Sequence, residues 1–126
     1  MLDFDPLGST WGKAGVRRAP NYNATDPNWG LSTALVAKIK APTLVIRGDL
    51  DKTVVLPGVQ ALFADLTGVP QKVFVHVACA AHQLVWEHQH MALLDASVEW
   101  LLHGTYQGQY NGSFAVDASG QVHPEQ

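Results

Sequence analysis

Two residues of this chain, Asp51 and His82, are the types that exchange protons and come directly after apolar runs that read as strands. A histidine titrates near neutral pH and can take up or release a proton there, and a carboxylate beside it can orient the ring. The first run is Ala41-Pro42-Thr43-Leu44-Val45-Ile46-Arg47, which empties into Gly48-Asp49-Leu50-Asp51. The second is Lys72-Val73-Phe74-Val75-His76-Val77-Ala78-Cys79, which empties into Ala80-Ala81-His82. Both are short and rich in β-branched and aromatic residues, as strands buried on two faces are.

Between these runs, Pro57 to Leu66 sets Val59, Leu62, Phe63 and Leu66 at helical spacing, with Pro57 near its start and Gly68 past its end. A strand–helix–strand unit of this length is nearly always a right-handed crossover between parallel strands. Parallel neighbours lie ~4.8 Å apart, so Asp51 and His82 are expected side by side at one sheet edge. That carboxyl-end crevice is where open α/β sheets place ligands.

The remaining elements are read outward from this unit. Met1 to Gly30 has no sustained periodicity and is punctuated by glycine and proline, so irregular structure is expected, with Trp11 and Trp29 packing on other parts of the fold; it reads as a cap or linker remnant. Leu31, Ala34, Leu35 and Ile39 predict a short helix that ends before Pro42. His90 to His103 predicts the best helix, with Met91, Leu94, Val98, Leu101 and Leu102 as its buried stripe and Gly104 as its stop. The residues from 105 onward are polar and glycine-rich; Phe114 to Val116 and Gln121-Val122 fit either a small hairpin or a loose tail.

Composition excludes several function classes. The chain has 126 residues, 47% apolar and 15% charged, which suits one globular unit and not a disordered segment. Its formal charge of −3 and lack of a basic run argue against nucleic acid and anionic membrane as partners. One cysteine excludes an internal disulfide and a cysteine-built zinc site. No apolar stretch approaches ~18 residues, and Asp3 and Asp5 stand where a signal peptide needs basic residues, so a cytoplasmic location is the default.

The residues Pro42 to Ile46, Gly48 and Asp51 resemble the late strand of the α/β-hydrolase superfamily, which commonly reads Pro-Thr-Leu-Val-Ile-x-Gly-x-x-Asp. Ala80-Ala81-His82 is similar to the small-residue turn and histidine after that family's last core strand. Glu87 and the helix from His90 to His103 match the family's next acidic residue and its final amphipathic helix. The resemblance spans about residues 39–104. It implies the C-terminal part of an α/β-hydrolase fold, with two parallel strands and flanking helices in a β–α–β–α unit over residues 31–104. It further implies Asp51 as the triad acid, His82 as the base, a small-molecule substrate with an ester, amide or similar bond, and no cofactor.

The family also needs a serine on a strained strand-to-helix turn, usually Gly-x-Ser-x-Gly, and none is present. Gly8-Ser9-Thr10-Trp11-Gly12 centres on Thr10. Gly30-Leu31-Ser32-Thr33-Ala34 precedes a helix, but the polar, proline-broken Ala24 to Trp29 cannot be the strand before it, so Ser32 reads as a helix-start residue. The early strands are missing as well, so the nucleophile is expected in upstream sequence. The alternative is a non-catalytic remnant or interaction module that pairs through its exposed sheet edge, and self-association through that edge is expected.

Other candidates are weaker. Cys79 sits three residues before His82, a spacing that rarely lets two side chains face each other at a strand end, and a lone cysteine is usually a small buried hydrophobe. His82, Glu87, His88 and His90 lack metal-ligand spacing. His76 alternates with Val75 and Val77 and reads as a packed or bonded strand residue. Trp86 comes soon after the histidine and is either a wall of the substrate pocket or part of the core. The two Asn-x-Ser/Thr matches, at Asn23 and Asn111, carry weight only in a secretory pathway. As a lone polypeptide the chain is expected to show no serine-hydrolase turnover; a burst of product from an activated ester that vanished in Ser32→Ala would overturn this.

Overall fold

The computed structural model describes residues 32–125, so the expectations for Met1 to Leu31, including Trp11, Trp29 and the Thr10 turn, lie outside the described residues. The described chain contains helix α1 (Thr33–Val36), strand β1 (Thr43–Gly48), helix α2 (Leu56–Asp65), strand β2 (Lys72–Val77), a 3-10 turn at Leu84–Trp86, helix α3 (His90–His103), and strands β3 (Gly112–Val116) and β4 (Val122–Glu125). Each element has a local cause. Pro57 sits in the first turn of α2, where its missing N–H costs nothing. Gly104 ends α3 at φ +68°, its N–H bonding back to the Trp100 carbonyl at 2.8 Å.

One open sheet joins the strands in the order β1-β2-β3-β4. β1 and β2 are parallel, with Thr43 opposite Lys72 and Gly48 opposite Val77. β2 and β3 are also parallel, and β3 and β4 are antiparallel. The sheet therefore has four strands where two were expected, and the segment after Gly104 is an integral hairpin. Phe114 and Val116 supply the buried alternation that draws β3 against β2. The Asp117 side chain shapes the turn between β3 and β4 by accepting the N–H groups of Ser119 and Gln121. Pro124 is tolerated because β4 is an edge strand.

The two sheet faces carry separate cores. Val73, Val75, Val77, Phe114 and Val116 lie on one face with Leu44 and Ile46, covered by Ala92, Leu93, Ala96 and Trp100 of α3. Val45 lies on the other face and packs with Val36, Leu62, Phe63, Leu66 and Val69 from α1, α2 and the loop beyond. The steps β1 to β2 and β2 to β3 go the same way across the sheet, yet α2 and α3 cover opposite faces. Crossovers of one hand would put both helices on one face, so these two have opposite hands and one departs from the right-handed rule.

The face of α3 that meets the sheet is not the expected one. Met91, Leu94, Val98, Leu101 and Leu102 are exposed, Leu101 by 83%, and the inward residues are Ala92, Leu93, Ala96 and Trp100. Both arcs are apolar at helical spacing, so periodicity cannot choose between them; the small Ala92 and Ala96 let the helix approach the sheet closely. No helix among the described residues is long and apolar enough to cross a membrane.

Membership of β3 in the core is testable. Phe114→Ala is expected to cost about 3–5 kcal/mol in denaturant unfolding, as for a buried aromatic. Leu101→Ala, on the exposed arc of α3, is expected to change stability by less than about 0.5 kcal/mol.

Candidate functional site

The site forms where the chain leaves β1 and β2 at their carboxyl ends. The loop after β1 is tied to the end of β2 by backbone bonds, Asp49 N–H to the Val77 carbonyl at 2.9 Å and Leu50 N–H to the Ala80 carbonyl at 2.8 Å. Gly48 makes this approach possible, since a Cβ there would meet the Ala80 carbonyl oxygen at 2.4 Å and that of Ala81 at 2.7 Å. The turn after β2 reverses at Cys79, whose φ of +57° is unusual for a residue with a side chain. Ala80 and Leu84 are buried in the core on either side of His82. The histidine is thus held between two anchored residues.

Asp51 and His82 meet here. Asp51 Oδ2 lies 2.9 Å from His82 Nδ1, while Oδ1 accepts the N–H groups of Thr53 at 2.7 Å and Val54 at 2.9 Å. Asp51 is 8% exposed and the His82 side chain 47%. Burial pushes the Asp51 carboxyl up, but hydrogen bonds from Val54, His82 and Thr53 outweigh it and hold it below its ordinary range. An ionised carboxylate only accepts, so Nδ1 carries a proton, and in the neutral ring Nε2 then presents a lone pair. No described residue bonds to Nε2. A ring in this state can accept a proton from a hydroxyl brought up to Nε2.

Glu87 grips the backbone on both sides of the histidine. Its carboxylate accepts the Ala81 N–H at 2.5 Å and the Gln83 N–H at 3.1 Å. The sequence marked Glu87 only as an acidic residue after the histidine; its spacing of five residues across a turn held no hint of this double grip. Gly48 was legible only as part of a motif, because its close approach is made with a segment remote in sequence.

The other candidates fall elsewhere. His76 points from the face opposite the α3 core, with Nε2 against the Asp49 carboxylate and 3.2 Å from Arg47 Nη1, so it is a bonded strand residue. Trp86 is 81% exposed on the 3-10 turn and is not part of the core. Cys79 is exposed, where a small buried hydrophobe was expected. Ser32 is buried at the start of α1, and its carbonyl accepts the Leu35 and Val36 N–H groups. The far end of α1 abuts Gly68, which leads into the amino end of β2. A four-residue helix rises only about 6 Å against about 20 Å for a six-residue strand, so Ser32 falls short of the edge that carries His82.

Comparison of the chain with models of protein families, with curated proteins and with solved structures gives no match.

The Asp51 environment has a signed pH consequence. Its folded value lies below the unfolded one, so its stabilisation is fully present above the ordinary carboxylate value of ~3.9 and is lost as pH falls through the folded value. Asp51→Asn is therefore expected to be less stable than the unaltered chain near pH 6, with the difference shrinking below about pH 4. Urea unfolding at a series of pH values measures it, and a difference independent of pH would contradict the assignment.

Proposed function

We propose that this chain supplies the acid, Asp51, and the base, His82, of an α/β-fold serine hydrolase acting on an ester, amide or similar bond of a small molecule. The observation that carries the reading is the 2.9 Å contact between Asp51 Oδ2 and His82 Nδ1 at the carboxyl edge of parallel strands, with Nε2 unpartnered among the described residues. A serine hydroxyl is a weak nucleophile until a base removes its proton. His82 Nε2 takes that proton as the oxygen attacks the substrate carbonyl, then returns it to the leaving group. Asp51 fixes the tautomer and stabilises the imidazolium that forms. The nucleophile and the N–H donors for the developing oxyanion come from sequence upstream of this chain. No cofactor is required for these steps.

A second reading is favoured by a separate observation. The outer edge of β1 has no strand partner among the described residues, and α3, which packs against β1, leaves its larger apolar arc exposed. An open strand edge beside an apolar helix face is a template for pairing, so the chain also fits a non-catalytic module that associates through β1.

The two are separated by one experiment. The longer open reading frame containing this chain is expected to encode Gly-x-Ser-x-Gly after an apolar strand. Expressed whole, that protein is expected to turn over an activated ester, with Asp51→Asn or His82→Ala lowering kcat by about 10³–10⁴-fold. Unchanged turnover in both variants sinks the hydrolase reading, and concentration-dependent light scattering by an inactive protein favours the module.

A further inference from the structure

We propose that Arg47 is the positioning residue for Asp51, an inference that rests on the acid–base reading of the site. Arg47 closes β1 on the face that carries Val45 and is only 7% exposed. A buried guanidinium needs its donors satisfied, and a carboxylate is the usual partner. Here the partners belong mainly to the backbone of the acid's own loop. Nε donates to the Val54 carbonyl at 3.0 Å, Nη2 donates to the Asp51 carbonyl at 2.9 Å, and Nη2 also faces the Asp49 carbonyl at 3.5 Å. Nη1 lies 3.2 Å from His76 Nε2, which in turn meets the Asp49 carboxylate.

The loop is therefore gripped from two sides. Its Thr53 and Val54 N–H groups converge on Asp51 Oδ1, and its Asp51 and Val54 carbonyls converge on the Arg47 fork. Residues 51 and 54 are bound by both systems, so the guanidinium sets where the Asp51 backbone sits and the amides set where its carboxylate points. The planar fork reaches two carbonyls at once; a lysine, with a single nitrogen head, cannot reproduce that geometry. Arg47 touches neither His82 nor the space beside Nε2 by any bond in the structure, so it acts through Asp51.

Nuclear magnetic resonance of the full chain tests this without any nucleophile. The readouts are the His82 Nδ1–H proton signal and the pH midpoint of the Asp51 carboxyl carbon. In Arg47→Met the Asp51 midpoint is expected to rise toward its ordinary value of ~3.9 and the Nδ1–H signal to be lost to exchange, with the amide signals of α3 and β3 retained. In Arg47→Lys both readouts are expected to fall between those of the unaltered chain and Arg47→Met. A folded Arg47→Met chain with both readouts unchanged overturns the proposal. If Arg47→Met does not fold, Arg47→Lys decides by the same readouts, and an Arg47→Lys chain that also fails to fold overturns it by making Arg47 a requirement of the whole fold. Absence of an Nδ1–H signal from the unaltered chain overturns the acid–base pair itself, whereas a signal insensitive to residue 47 overturns only the positioning role.

Discussion

The constraint on which the site depends is the close passage of two strand-end turns over a residue without a side chain. At Gly48 the loop after β1 and the turn after β2 approach until their backbones hydrogen-bond directly. A methyl group at this point would collide with carbonyl oxygens, which are backbone atoms and cannot rotate aside. The arrangement of the carboxyl edge depends on that passage. It brings Asp51 and His82 from segments thirty-one residues apart to hydrogen-bonding distance.

Around this contact the polar groups are arranged so that few are spent on solvent. Arg47 takes carbonyls of the acid's loop, Asp51 takes amides of the same loop, and Glu87 takes the amides that flank the histidine. No buried side-chain nitrogen or oxygen among the described residues lacks a partner. Where it is buried, at Arg47 and Asp51, such a network resists breaking, because a freed group there would have lost water and gained nothing in return. On the hydrolase reading proposed above, this stiffness would have a chemical use. A base whose tautomer is set before a substrate arrives needs no reorganisation when the proton moves.

How much of this was legible in the sequence divides along local and distant causes. The β1–α2–β2 unit could be read because strand runs, a helix period and Pro57 are all local signals. The span of α3 could be read to the residue, but its orientation could not. HMALLDASVEWLLH is apolar on two arcs, and only the shape of the sheet selects the one containing Ala92 and Ala96. In the sequence β3 fits either half of a small hairpin or part of a loose tail, because its parallel partner, β2, is remote in sequence and is reached by a crossover whose hand opposes that of the one before it. Arg47 carried a faint signal, a charge in the inward register of an apolar strand, but its partners are carbonyls, and carbonyls have no sequence signature.

The two edges of the described sheet differ in what they offer to a further strand. At β4, Pro124 has no N–H to offer, and the strand is short and polar. At β1, six residues run with their outer backbone groups unclaimed by any described strand. If β1 paired with a copy of itself, the two chains would be related by a two-fold axis. Any pairing through β1 alone would add one strand to this side of the described sheet.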